Sequence, residues 1–168
     1  LCHMQMHVGL LLALGSGGKK VKLCLMKESL DYGGNERSVA NISLALQHEF
    51  ETICLVFDGT KNRYQHGGRL VDLHLPSAHN LFCRVVRNVQ RYLRVRRIIS
   101  EEQIDILYQF VNLKSLLSKL PQPGCIKVIS ARDYGAISKD PQRFKKCLNS
   151  SDAMICNSNY IRDKYLQS

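Results

Sequence analysis

Short apolar runs alternate with longer amphipathic segments along most of this chain, and this alternation constrains the fold more than any other feature. From residue 19 onward, six apolar runs have the length of β-strands. They are 21–26, 52–57, 70–75, 104–108, 125–129 and 153–156. Strands that alternate with helices build a parallel sheet covered by those helices. The sequence therefore predicts an α/β fold, a Rossmann-like parallel sheet of about six strands with helices on both faces.

The segments between the runs have helical periodicity. Two long helices are predicted over 36–47 and 81–100, because apolar residues recur there every three or four positions. The predicted core-facing residues are Val39, Ile42 and Leu46 in the first helix and Val85, Val89, Tyr92 and Ile99 in the second. Shorter helices are expected over 112–120, 141–149 and 158–167, the last with Ser158 as its cap.

Length and composition indicate a single domain. The chain has 168 residues, 45% of them hydrophobic, which is enough for one sizeable core. Residues 1–18 lack the alternating pattern and end in a glycine-rich stretch, so we expect the domain to cover 19–168 and the first segment to be extraneous. The apolar run 8–14 is too short for a transmembrane helix, which needs about 20 residues, and no basic region precedes it as in a secretory signal.

The cysteine pattern favours buried thiols. Seven cysteines are present without a C-x-x-C pair, and Cys24, Cys54, Cys125 and Cys156 fall in the apolar runs. A disulfide framework or a zinc site would require a different spacing. We therefore expect a cytoplasmic protein with reduced cysteines, and the scattered histidines predict no metal site.

Gly33 and Gly34 lie between the first apolar run and the first long helix. Glycine permits a tight turn and lets a ligand approach the backbone, while a helix N-terminus offers unpaired amides and a positive dipole end. A strand, a glycine pair and a helix thus predict a site for an anion. The alternative is a simple turn before the helix.

The second long helix is strongly basic. Arg84, Arg87, Arg91 and Arg94 recur every three or four residues, no acid occurs between 81 and 100, and the whole chain carries a net charge of +10. This face is either a solvated surface or a surface that contacts anionic lipid headgroups. Nucleic acid is the least favoured partner, because Tyr92 is the only aromatic residue within the arginine run and the chain has no Trp.

Four segments together resemble a known family. The sequence G-G-N-E-R at 33–37 resembles the G-G-x-E-R loop of family 4 glycosyltransferases. The segments I-D-I-L-Y-Q at 104–109, V-I-S-A-R-D at 128–133 and S-D-A-M-I-C-N-S-N-Y-I-R at 151–162 resemble three strand motifs of the same family. They occur in the family's order, and the resemblance covers about 21–166.

The resemblance implies one half of a GT-B fold, in which two Rossmann-like domains face each other across a cleft. The chain resembles the N-terminal, acceptor-side domain. The implied activity is transfer of a sugar, with retention, from a nucleotide-sugar donor to a glycan or lipid-linked acceptor in polysaccharide biosynthesis. The donor is a substrate and no cofactor is implied. The C-terminal domain of the family carries most nucleotide-sugar contacts and an E-x7-E motif, which is absent here, so this chain is expected to be inactive alone.

The resemblance also implies site residues. Gly33 and Gly34 would approach the donor diphosphate or the acceptor, and Arg37 would add a positive charge unless it is merely solvated. Arg132 stands where many relatives have His, so it would contact a phosphate or a sugar hydroxyl instead. Asp133 is the candidate catalytic residue, through contact with a sugar hydroxyl or the acceptor, or else it caps a loop. Ser158 is a helix cap with binding as the alternative.

A non-catalytic module that binds a nucleotide or a phosphate is the alternative function. The native gene beyond Ser168 distinguishes the two functions. A second α/β domain with an E-x7-E pair would favour the transferase, whose basic helix would then lie peripherally at the inner face of the plasma membrane.

Overall fold

The computed structural model describes residues 19–78, 80–110, 115–132 and 138–166, without the side chains of 161 and 164–166. Within these ranges the strands are β1 (Lys22–Lys27), β2 (Glu51–Val56), β3 (Arg69–Asp72), β4 (Ile106–Phe110), β5 (Ile126–Ala131) and β6 (Ala153–Cys156). The helices are α1 (Gly34–Leu46), α2 (Leu81–Glu101), α3 (Leu116–Lys119), α4 (Pro141–Asn149) and α5 (Asn159–Leu166), and a short 3₁₀ turn spans Gly59–Lys61.

All six strands form one parallel sheet in the order β3-β2-β1-β4-β5-β6. β1 is central, and its Leu25 pairs with Cys54 on β2 and with Tyr108 on β4. The predicted fold class is confirmed, and each predicted run overlaps a strand. The third strand ends at Asp72, three residues earlier than expected. The strand order reverses between β1 and β4, which is where open parallel sheets bind ligands.

Helices cover both faces of the sheet. On one face α1 packs through Val39, which is fully buried, with Ile42 and Leu46 at the margin of the same core. This confirms the predicted core-facing side of α1. On the opposite face, Val95 and Ile99 of α2 pack with Leu107 and Leu117.

The predicted core-facing side of α2 is wrong in its first half. Val85 and Val89 are 57% and 43% exposed, whereas Val95 and Ile99 are buried. The reason is length. A helix of 21 residues is roughly 30 Å long, while strands of four to six residues span no more than about 20 Å. The first half of α2 therefore extends past the carboxyl ends of the strands and has no sheet to pack against.

Two aspartates at the amino ends of the strands set the strand register. Asp105, just before β4, accepts a hydrogen bond from the backbone amide of Lys22 at 2.8 Å through Oδ2, while its own amide donates to the Lys22 carbonyl at 3.1 Å. Asp152, just before β6, makes the same pair of bonds to Lys127, at 2.7 and 2.9 Å. Each aspartate thus aligns its strand with the neighbouring one.

The cysteines in the strands are small core residues, as expected for Cys24 and Cys54, which are fully buried. Cys125 and Cys156 are half-buried. Burial raises the pKa of all four thiols, to about 11 for Cys125. These thiols are therefore protonated and unreactive at neutral pH.

Lys127 on β5 is a buried charge that holds α3 in place. Its side chain is 1% exposed, and its Nζ donates to the carbonyls of Leu117, Ser118 and Leu120 at 2.8–3.2 Å and to Ser150 Oγ at 3.0 Å. A cation at the C-terminal carbonyls of a helix is favoured by the helix dipole. Burial nevertheless lowers the pKa of Lys127 to about 8.

Lys127 is expected to make the free energy of unfolding depend on pH in the alkaline range. Its pKa is about 8 when folded and about 10.4 when unfolded, so the unfolded chain binds the proton more tightly. The contribution of Lys127 to the free energy of unfolding should rise between about pH 8 and pH 10.5, by up to about 3 kcal/mol, whereas the buried thiols, whose pKa values are raised, contribute a fall over much of the same range. Urea unfolding of the wild type and of a Lys127→Met variant at several pH values separates the two effects. The difference in stability between the two proteins should rise with pH, and a difference that stays constant would show that Lys127 does not titrate in this range.

Candidate functional site

The glycine loop lies at the carboxyl end of β1, beside the position where the strand order reverses. Gly33 caps α1 and supplies no side-chain hydrogen bond to the first turn, and its carbonyl accepts from the Arg37 amide at 3.0 Å. Because no side chain caps the helix, its first amides are available to an anion.

The two glycines have different surroundings. A Cβ on Gly33 would collide with the carboxylate of Glu36, which is held by Lys27 Nζ at 3.2 Å. A Cβ on Gly34 would meet no atom of the described residues within 4 Å. Gly34 therefore borders open space in that part of the chain, where a ligand can approach the backbone, whereas a Cβ on Gly33 would displace the Glu36 carboxylate.

Arg132, at the end of β5, is linked to this loop. Its Nη1 donates to Ser38 Oγ at 2.5 Å, and Ser38 Oγ in turn donates to the Gly34 carbonyl at 2.7 Å. Its Nε donates to Ser130 Oγ at 3.3 Å, and the guanidinium lies 5.0 Å from the centre of the Phe110 ring. The structure thus brings Arg132 together with Ser38, which lies 94 positions earlier in the sequence.

The guanidinium of Arg132 keeps its positive charge available. Within the described ranges it forms no ion pair with a carboxylate. Tyr108 forms a hydrogen bond with Arg132 and is 6% exposed. Burial raises the pKa of Tyr108, and its interactions with Ser130 and Arg132 only partly oppose that effect. The phenol is therefore neutral at physiological pH and does not compensate the charge of Arg132.

The other predicted binding residues take different positions. The Arg37 side chain is exposed in the first turn of α1. Ser158 directly precedes α5, and its carbonyl accepts from the Arg162 amide at 3.1 Å, which is the backbone arrangement of a helix cap. It follows β6, three strands from β1 in the sheet. Asp133 lies outside the described residues.

Arg91 is not membrane-facing, so that prediction is wrong for this residue. It is 7% exposed and binds both carboxylate oxygens of Glu28, at 2.6 and 3.0 Å. It also donates to the Leu75 carbonyl, at 2.8 Å from Nε, and its guanidinium stacks 4.4 Å from the centre of the Phe57 ring. The side chain fastens α2 to the segments that follow β1 and β3.

The other three arginines that were predicted to face a membrane separate into two groups. Arg84 and Arg87 line a cleft beside the Glu28–Arg91 pair, while Arg94 is exposed. The most exposed side of the first half of the helix is instead apolar. Its exposed side chains are Phe82, Val85, Val86, Val89 and Leu93. Because they recur every three or four residues, they form one stripe, which we call the apolar stripe of α2.

Sequence reasoning missed two residues that form these contacts, Glu28 and Ser38. Glu28 directly follows β1 and was detectable as a carboxylate at the carboxyl edge of the sheet. Ser38 carries no signal in the sequence, because its role depends on the approach of β5 to α1.

In the described part of the chain, no helix combines the length and the apolar character needed to cross a membrane. Those same residues contain no group of three His, Cys, Asp or Glu side chains arranged to hold a metal ion.

The Glu28–Arg91 pair leads to a stability prediction. Arg91→Met should lower the free energy of unfolding by about 2–3 kcal/mol, because it leaves Glu28 and the Leu75 carbonyl without their partner. The loss is less than for a fully buried pair, since Glu28 is partly exposed. Arg94→Met, the same change at an exposed position of the same helix, should have almost no effect. Urea unfolding compares them, and equal losses would contradict the assigned role.

A scan against protein-family models and a search of curated proteins each find no match to this chain. The structure by itself shows an α/β fold with one six-stranded, all-parallel sheet flanked by helices, consistent with a Rossmann-like domain.

Proposed function

We propose that this chain is the N-terminal, acceptor-side domain of a retaining glycosyltransferase with a GT-B fold. The main support is the chain of hydrogen bonds from Arg132 through Ser38 to Gly34. It joins two segments that resemble family 4 motifs, at the edge of the sheet where such folds bind ligands.

The chemistry of sugar transfer suits this cluster. When the bond between the sugar and a nucleoside diphosphate breaks, negative charge accumulates on the departing diphosphate. The first amides of α1 and the guanidinium of Arg132 are a set of fixed positive groups for that charge. Arg132 needs no reorganisation for this role, because Ser38 and Ser130 already orient it.

A complete active site would also need a second domain. In the proposed enzyme that domain holds most of the nucleotide-sugar donor, and this domain contributes the glycine loop and the acceptor side. Asp133 remains a proposed catalytic residue, and Arg37 and Ser158 remain proposed contacts. The nucleotide sugar is a substrate, and no cofactor or metal is needed by the proposal.

The partner proposed for the apolar stripe of α2 is an anionic membrane surface, which would place the enzyme in the cytoplasm, peripherally at the membrane. The stripe exposes Phe82 by 80% and Val85 by 57%. Arg94, Arg96 and Arg97, all exposed, lie on the same helix, and the chain has a net charge of +10. Apolar side chains beside basic ones are typical of helices that lie in the headgroup region.

Turnover by the full-length protein tests the proposed activity. Transfer and hydrolysis of UDP-, GDP- and ADP-sugars would be measured for the wild type, Gly34→Val and Arg132→Gln. Both variants should lower kcat/KM at least about a hundredfold, the effect of removing one preorganised donor from a developing anion. Asp133→Asn tests the catalytic role in the same assay.

The structure supplies the control for this test. Because a Cβ on Gly34 meets no atom of the described residues within 4 Å, the valine variant should melt within a few degrees of the wild type. A folded wild-type protein that turns over no donor but binds a nucleoside diphosphate through Arg132 would contradict the transferase and favour the non-catalytic binding module.

The membrane proposal predicts a specific loss of lipid binding. A Val85→Asp, Val89→Asp double variant should bind phosphatidylglycerol vesicles at least about tenfold more weakly, since two apolar contacts are lost and two negative charges are gained. Leu148→Asp, on α4, is the matched control, because Leu148 is an exposed apolar residue outside the stripe. Equal binding by all three proteins in vesicle flotation would contradict the proposal.

A further inference from the structure

A cleft of about 250 Å³ lies beside the first half of α2, at the carboxyl edge of the sheet. Its wall includes the Glu28–Arg91 pair, and the remaining polar lining comes from three segments of the chain. These side chains are Ser77, Arg84, Arg87, Asn88 and Ser115. Arg91 stacks on Phe57, which belongs to the α2 side of the core, whereas Arg132 and the glycine loop lie on the α1 side. The cleft is therefore separate from the glycine loop.

The charges in the cleft do not cancel. Glu28 accepts two hydrogen bonds from Arg91 and one from Ser77 Oγ, at 2.9 Å, so this carboxylate is already neutralised. Arg84 and Arg87 have no carboxylate partner among the residues that the structure describes. Two positive charges thus remain in a partly enclosed space with neutral hydrogen-bond donors around them.

The size of the cleft limits its ligand to a small group. Sites that enclose a whole drug-sized molecule have roughly 300–1,000 Å³, so this cleft fits one polar group of a larger ligand. Two guanidinium groups with hydroxyl and amide donors are suited to phosphate oxygens, which accept bidentate hydrogen bonds from arginine.

We propose that this cleft binds a phosphate group of the acceptor, with Arg84 and Arg87 as its two cationic contacts. That this phosphate belongs to the acceptor rests on the proposed function, whereas the binding of phosphate by the cleft does not. The apolar stripe runs along the same helix beside the cleft, so the phosphate belongs either to a lipid headgroup or to a water-soluble phosphate.

Direct binding measurements test the site and distinguish these two sources. Calorimetric titrations would use inorganic pyrophosphate in one arm and monomeric short-chain phosphatidylglycerol, below its micelle concentration, in the other. An Arg132→Gln background removes the cationic contact at the glycine loop. In that background, Arg84→Gln with Arg87→Gln should weaken binding of at least one probe about tenfold or more, the effect expected for lost charge-assisted hydrogen bonds.

Arg94→Gln is the control, because it removes one positive charge from the same helix outside the cleft. It should change affinity less than about twofold, since an exposed charge outside the cleft is largely screened. Tighter binding of the lipid, weakened by Val85→Asp, assigns the phosphate to a lipid headgroup, and tighter binding of pyrophosphate assigns it to a soluble phosphate.

Two results would overturn the site. One is unchanged binding of both probes in the Arg84→Gln, Arg87→Gln variant, and the other is an equal loss in Arg94→Gln. Neither depends on sugar transfer, so the cleft and the transferase can fail separately. The Arg84→Gln, Arg87→Gln variant should melt within a few degrees of the wild type, since Arg84 is exposed and Arg87 is half-buried.

Discussion

The ion pair between Glu28 and Arg91 determines how α2 sits on the sheet. Glu28 follows the central strand, and Arg91 lies in the middle of the helix, buried against Phe57. A guanidinium that is bound on both edges and stacked on its face cannot be rotated outward without leaving a carboxylate unpaired. The pair therefore turns one side of α2 toward the carboxyl edge, and helical geometry then sets the positions of Arg84, Arg87 and the apolar stripe.

This pair also explains where prediction from the sequence failed. Periodicity located the six strands and the buried side of α1, because those elements pack along their whole length. In α2 the same reasoning placed Val85 and Val89 in the core and Arg91 outside, and all three are reversed. An amphipathic pattern identifies the two sides of a helix, but it does not show which side is buried when the helix extends past the sheet. The carboxylate of Glu28, at the end of β1, decides that question because it requires a cationic partner.

The candidate site was predictable in part for a similar reason. Gly34 was detectable because its signal is local, a glycine pair between a strand and a helix. Arg132 was implied as a site residue by the resemblance of 128–133 to a family segment, but its link to Gly34 through Ser38 depends on the packing of β5 beside α1, which no local pattern encodes. Two residues within the family-like segments, Asp105 and Asp152, act at the opposite edge of the sheet, where each aligns a pair of strands. Resemblance at those positions reflects the construction of the sheet and carries no information about a reaction.

The positive charge at the carboxyl edge is divided between the two faces of the sheet. On the α1 side, Arg132 is linked through Ser38 to Gly34 at the start of the helix. On the α2 side, Arg84 and Arg87 have no carboxylate partner in the described ranges, because Glu28 is paired with Arg91. Had Glu28 been absent, Arg91 would add a third positive charge to the cleft, and α2 would keep only its core contacts through Val95 and Ile99 and the Arg91 contacts with Leu75 and Phe57. A single carboxylate thus helps to orient the helix and limits the positive charge beside it.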